Sequence, residues 1–113
     1  MLPLSDGLGM ETANLRIAVQ PGTPVIIEVR GEIDLQSAPG LRDELLRVIR
    51  RCGPQLVLDL AGVTFMDCAG VSVLLATRRR AQLEDGSVTV TEASSRVRRM
   101  ITLLGLERTF AFG

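Results

Sequence analysis

The chain has 113 residues, a length that suits one domain able to bury roughly two-thirds of its unfolded surface. Its formal net charge is zero, thirteen basic residues (every one an arginine) balancing thirteen acids, and aromatic residues make up only 3%. With no histidine, two cysteines, no phosphate-cradling glycine loop and no basic excess, the sequence excludes histidine-based catalysis, a four-cysteine zinc site and an electrostatic nucleic-acid surface.

Residues 1–12 contain three glycine or proline residues and no periodicity, and read as a flexible N-terminus. Met1 to Glu11 includes no basic residue and no long apolar stretch, so no leader peptide is expected. No apolar run approaches the ~18 residues of a membrane span. The expectation is a cytoplasmic protein that does not contact membrane directly.

The alternation Leu15-Arg16-Ile17-Ala18-Val19 predicts a strand, closed by the turn Gln20-Pro21-Gly22-Thr23, and Val25-Ile26-Ile27-Glu28-Val29 predicts its antiparallel partner. Ser37 and Pro39 punctuate the start of a helix running to about Arg51, with Leu41, Leu45, Val48 and Ile49 as its buried stripe. Gly53-Pro54 stops it. The near-continuous apolar run of residues 55–60 predicts a strand buried on both faces. Ala61-Gly62-Val63-Thr64 reads as a short loop leading to Phe65-Met66-Asp67.

A second helix is expected from Cys68 or Ala69 to about Leu83, burying Val71, Leu74 and Leu75. Asp85-Gly86 turns into a strand over residues 87–91. Ser94 or Ser95 caps a third helix that faces Val97, Met100, Ile101 and Leu104 inward and ends at Gly105. Residues 109–112 read as a last strand. The alternation predicts an α/β fold with a mixed, mostly parallel central sheet and helices packed on it.

Two landmarks stand out in this order: "VRGEIDLQSAPGLRDEL" from Val29 and "LVLDLAGVTFMDCAGVSVLL" from Leu56. Together they resemble the STAS domain family, that of bacterial anti-sigma factor antagonists and sulfate-transporter tails. Gly31-Glu32-Ile33-Asp34 matches the family's G-E-[IL]-D. The stretch from Asp59 to Gly70 is similar to D-L-x-x-[VL]-x-[FY]-[IM]-D-[ST]-[ST]-G, departing at Cys68 and Ala69. The resemblance spans residues 13–112, which implies a single STAS domain over residues 13–113 behind the flexible segment.

The resemblance implies a protein without catalysis or cofactor of its own. It would bind an anti-sigma factor with a kinase-like ATPase fold and thereby release a sigma factor, so regulating transcription. In such antagonists the residue after the second motif aspartate is a serine or threonine that the partner phosphorylates. Here that modification position is Cys68, followed by Ala69. The implied partner-binding residues are Asp34, Asp67, Cys68, Ala69 and Gly70; no metal ligand is implied.

A phosphate at position 68 would meet the unpaired N–H groups of the helix start, yet would bring about −1.5 to −2 charges beside Asp34 and Asp67. A thiol caps a helix poorly and is not an ordinary serine-kinase substrate. Three readings of Cys68 stay open: a fixed mimic of the unphosphorylated state, a redox handle, or a small residue filling the helix start. The rival functions are a regulatory subunit of a lipid or anion transporter complex and a redox-switched antagonist.

The bland readings stand beside the functional ones. Asp34 is either a partner-surface acid or a turn cap, and Asp67 is the helix N-cap with or without a second role. Asp59 reads as a structural acid, Thr64 and Ser72 as ordinary surface hydroxyls, and the arginine clusters at 78–80 and 96–99 as solvated helix faces. About 20 Å of intervening strand separates Cys52 from Cys68, too far for a disulfide. Family members commonly continue into a final helix, whereas this chain stops at Gly113. The expectation is a truncated or naturally short member whose exposed apolar surface favours a homodimer.

Overall fold

A computed structural model describes residues 7–110. Five strands and three helices follow one another: β1 (Met10–Glu11), β2 (Leu15–Gln20), β3 (Val25–Ile33), α1 (Ala38–Cys52), β4 (Gln55–Met66), α2 (Cys68–Leu83), β5 (Ser87–Ala93) and α3 (Ser95–Leu103). The strands lie in the sheet in chain order. β1–β2 and β2–β3 pair antiparallel, whereas β3–β4 and β4–β5 pair parallel across the crossover helices α1 and α2. The expected mixed α/β architecture is present.

Strand alternation decides where the core lies. Ile17, Val25, Ile27, Leu56, Leu58, Val88 and Val90 are buried in one cluster with the helices. The alternate positions Arg16, Ala18, Gln20, Ile26 and Arg30 are exposed. Val57 and Asp59 are half-buried, so β4 is covered on one face and not on two as its apolar run suggests. The run reads as doubly buried because valine suits either face of a pleated strand.

α1 buries Leu41, Leu45, Val48 and Ile49 as its spacing predicts, and Ile49 accepts the N–H of Gly53 at its end. α2 buries Val71 and Leu74 but turns Leu75 outward, with Val73, Thr77 and Ala81 inside instead. Thr77 is tolerated there because its hydroxyl donates to the Val73 carbonyl at 2.8 Å. Ser94 caps α3 by accepting the N–H of Val97, and Val97 and Ile101 are buried while Leu104 is exposed.

Three further expectations need correction. The proposed loop at residues 61–64 is strand: β4 continues to Met66, its register against β3 shifting at Glu28/Arg30 and Gly31/Glu32. Asp59 is accordingly a mid-strand acid, its Oδ1 accepting the N–H of Ala61 at 3.1 Å. Residues 109 and 110 form a turn, and the rest of the predicted last strand, 111–112, lies outside the described residues. Phe110 is nonetheless buried, and its carbonyl accepts the N–H of Val90 at 3.4 Å.

Residues 1–6 of the expected flexible N-terminus lie outside the described residues. Met10 and Glu11, however, form an edge strand paired with Ile17 and Arg16. Glu44, a buried acid on α1, accepts the N–H of Gly9 and pairs with Arg47 at 3.0 Å. Arg47 also donates to the Gly7 carbonyl at 3.1 Å, which holds this segment on α1.

Candidate functional site

The parallel strands β3 and β4 end side by side, with Ile33 opposite Met66, and the N–H of Asp67 donates to the Ile33 carbonyl at 3.3 Å. The residues that follow, Asp34 and Asp67, therefore leave the sheet at neighbouring points. Carboxyl ends of adjacent parallel strands are where α/β folds commonly place their binding surfaces.

Asp67 has the extended backbone of an N-cap, and its Oδ1 accepts the N–H of Ala69 at 2.9 Å and of Gly70 at 3.2 Å. Those two donors would otherwise lack partners at the first turn of α2. Asp34 does the same for the β3–α1 turn: its Oδ1 accepts from the N–H groups of Gln36 and Ser37, each at 3.0 Å. Ser37 Oγ accepts the N–H of Asp34 at 3.0 Å and donates to the Glu32 carbonyl at 2.7 Å. The Ser37 N–H, foremost among these donors, holds the Asp34 carboxyl below its ordinary value of 3.8, against a smaller opposing effect of burial.

Cys68 is the first residue of α2, exposed and unbridged; Cys52, at the end of α1, is half-buried and also free of any disulfide. The thiol thus stands at the helix tip, outside the turn that Asp67 caps. Ala69 is half-buried against the core. Gly70 is buried, and a Cβ there would lie 2.8 Å from Ile33 Cγ2 and 2.9 Å from Met66 Cγ. The close approach that Gly70 permits is therefore to the strand ends beneath α2, within the molecule.

From Cys68 the exposed side of α2 continues through Ser72, Leu75 and Ala76. Facing it across a groove of about 400 Å³ are Leu35, Pro39 and Arg42 at the start of α1. Leu35, which lines the groove, is 77% exposed. Thr64 is exposed on β4. The structure gathers Asp34, Asp67, Cys68, Ala69 and Gly70 at one end of the sheet but divides their work: two carboxylates cap turns, two small residues pack inward, and the thiol faces out.

The cap has a measurable worth. Asp67→Ala is expected to lower stability by about 1 kcal/mol, within the usual range for losing an N-cap, and to speed hydrogen exchange at Ala69 and Gly70. Denaturant unfolding together with residue-resolved exchange checks this. Unchanged exchange at those two amides would refute the capping role.

Over residues 14–113 the chain matches the model of the STAS domain. The chain belongs to the STAS domain family. It is 30% identical over 95 residues to the anti-sigma-B factor antagonist of Bacillus subtilis, covering 83% of this chain and 86% of that one. It is 33% identical over 85 residues to the anti-sigma-F factor antagonist RsfB of Mycobacterium tuberculosis, covering 75% and 69%.

Among solved structures, an anti-sigma factor antagonist from Mycobacterium paratuberculosis superposes with a TM-score of 0.76 at 32% identity, over 87% of this chain and 84% of that one. The unphosphorylated anti-sigma factor antagonist SpoIIAA shares the fold, with a TM-score of 0.70 at 21% identity over 81% and 83%. Among the described residues, no helix is long and apolar enough to cross a membrane.

Proposed function

We propose that this chain is an anti-sigma factor antagonist: it binds an anti-sigma factor of the kinase-like ATPase type and so frees a sigma factor for transcription. The relatives that support this reading, covering most of this chain, carry that name. The observation that carries it is the exposed helix tip at Cys68, at the strand end neighbouring the Asp34 turn, with an apolar groove one turn further along α2 at Ser72 and Ala76. The protein acts by occupying a surface and performs no reaction itself.

Cys68 gives the proposal its particular form. The first turn of α2 is satisfied by Asp67, so the side chain at position 68 is free to contact another molecule. A thiol is small and uncharged enough to sit in an interface, and an ATP-dependent serine kinase does not esterify it. The chain therefore binds as an unphosphorylated antagonist does and is not released by modification at this position.

Two measurements test this. Purified chain mixed with anti-sigma factors from its own genome is expected to form a stoichiometric complex with one of them. On incubation with that partner and ATP, the wild type is expected to incorporate no phosphate at position 68, whereas Cys68→Ser is expected to incorporate it. Absence of a complex with every such anti-sigma factor would sink the antagonist reading; phosphate on wild-type Cys68 would sink the fixed-state reading.

A further inference from the structure

Each acid at the sheet end holds two backbone N–H groups through its Oδ1, Asp67 those of α2 and Asp34 those of the β3–α1 turn. Further recognition chemistry on this rim comes from three side chains at the ends of β3 and β4 and the start of α3. Phe65, three residues ahead of the thiol, is 37% exposed, although aromatic residues are scarce in this chain. Glu32 lies opposite it on β3 and is exposed. Arg96, from the first turn of α3, sets its guanidinium over the Phe65 ring, 5.6 Å from the centroid.

The topology explains how α3 reaches this place. β5 ends with Ala93 against Leu60, and the N–H of Ser94 donates to the Leu60 carbonyl at 3.2 Å. Among the described residues, the edge of β4 beyond Leu60 has no strand partner on that side, and α3 packs against β4. Arg96 is exposed, and among the described residues no carboxylate lies within ion-pair distance of it. Stacking on the ring restrains the guanidinium while leaving its N–H edge open. An arginine held in this way loses less conformational freedom on binding, and a planar carboxylate matches its fork.

We infer that Phe65 and Arg96 form a second contact element of the docking surface, one that recognises an acidic side chain flanked by apolar surface on the anti-sigma factor. This inference rests on the antagonist reading. It places the contact to one side of the Cys68 tip, on α3 and the end of β4, and away from the groove between α1 and α2. The carboxylate approaches Arg96 and the apolar part covers the free portion of the Phe65 ring. Buried arginine and aromatic pairs at an interface centre carry binding energy out of proportion to their area.

The experiment uses the full chain and the anti-sigma factor with which it forms a complex. Affinity is measured by calorimetry for wild type, Phe65→Ala, Arg96→Glu and Arg96→Lys, with thermal unfolding of each free variant as the check on folding. Phe65→Ala and Arg96→Glu are each expected to weaken binding at least tenfold with the fold retained. Arg96→Lys keeps the charge but loses the fork, and is expected to recover only part of the affinity. Raising salt is expected to weaken the wild-type complex more than the Arg96→Glu complex.

The outcomes separate the two ideas. If Phe65→Ala or Arg96→Glu binds within tenfold of wild type while Cys68→Glu loses binding, the second contact element is overturned and the docking tip stands. Equal salt dependence of the wild-type and Arg96→Glu complexes likewise overturns the acidic contact. If the wild type binds no anti-sigma factor, both ideas fall together.

Discussion

Cys68→Glu is expected to weaken the complex with the anti-sigma factor by roughly 100-fold, equivalent to about 2.7 kcal/mol, while leaving the free protein at least as stable as wild type. The two halves of this expectation have separate physical causes. A carboxylate in the first turn of α2 interacts favourably with the N–H end of the helix, worth about 0.3–1 kcal/mol. The same charge carried into an interface must shed the water that stabilises it.

Opposite signs make the test decisive. A variant that binds poorly because it is unfolded would show a lowered midpoint; this one is expected to show an unchanged or raised midpoint by thermal denaturation. Tight binding by Cys68→Glu would mean that the thiol lies outside the contact. Cys68→Ala, which removes only the sulfur, is expected to bind within a few-fold of wild type if the thiol acts as a small neutral filler.

The second large effect concerns the fold. Gly31→Ala is expected to destabilise the protein by about 3–5 kcal/mol, a large share of the roughly 5–15 kcal/mol typical of a domain. Gly31 has φ of +108°, a conformation that side-chain-bearing residues rarely adopt. A Cβ there would also overlap the Asn14 carbonyl oxygen, the acceptor for the Glu32 N–H. Asn14 is backbone, so the clash cannot be relieved by a rotamer change.

Gly31 lies opposite Leu15 on one side and Val63 on the other, at the register shift that lets β3 reach Ile33 in step with Met66. Displacing it would disturb the end of β3 and with it the Asp34 turn. Denaturant unfolding measures the loss, and an amide spectrum reports whether residues near Asp34 and Asp67 move. A loss below 1 kcal/mol would show that the backbone at Gly31 can relax at little cost.

The glycine of the first motif thus serves strand geometry, and the glycine of the second serves packing. Gly70 allows α2 to start directly over Ile33 and Met66, which brings the two motifs together. Both motifs were legible as a family resemblance, but the reason for each glycine lies in contacts between residues distant in the chain. Of the residues that the resemblance implies, Asp34 and Asp67 are the two whose local roles follow from their own surroundings, each accepting backbone N–H groups two and three residues on.

Local information was enough for the α/β alternation, the stripe of α1, both ends of α2 and the Ser94 cap. Each depends on hydrogen bonds or apolar spacing within a few residues, which the order of side chains determines directly. The tertiary structure alone decided the rest. It extended β4 through the apparent loop at 61–64, because pairing with β3 and a shifted register satisfy that backbone. It turned Leu75 outward and Val73 inward, because the neighbours of α2 set which arc of the helix is covered. It recruited Met10, Glu11 and Glu44 through pairings across 5 to 35 residues of chain, and laid Arg96 over Phe65 by bringing α3 alongside the end of β4. Such contacts depend on which surfaces the sheet and its crossovers bring together, and no short stretch of sequence carries that information.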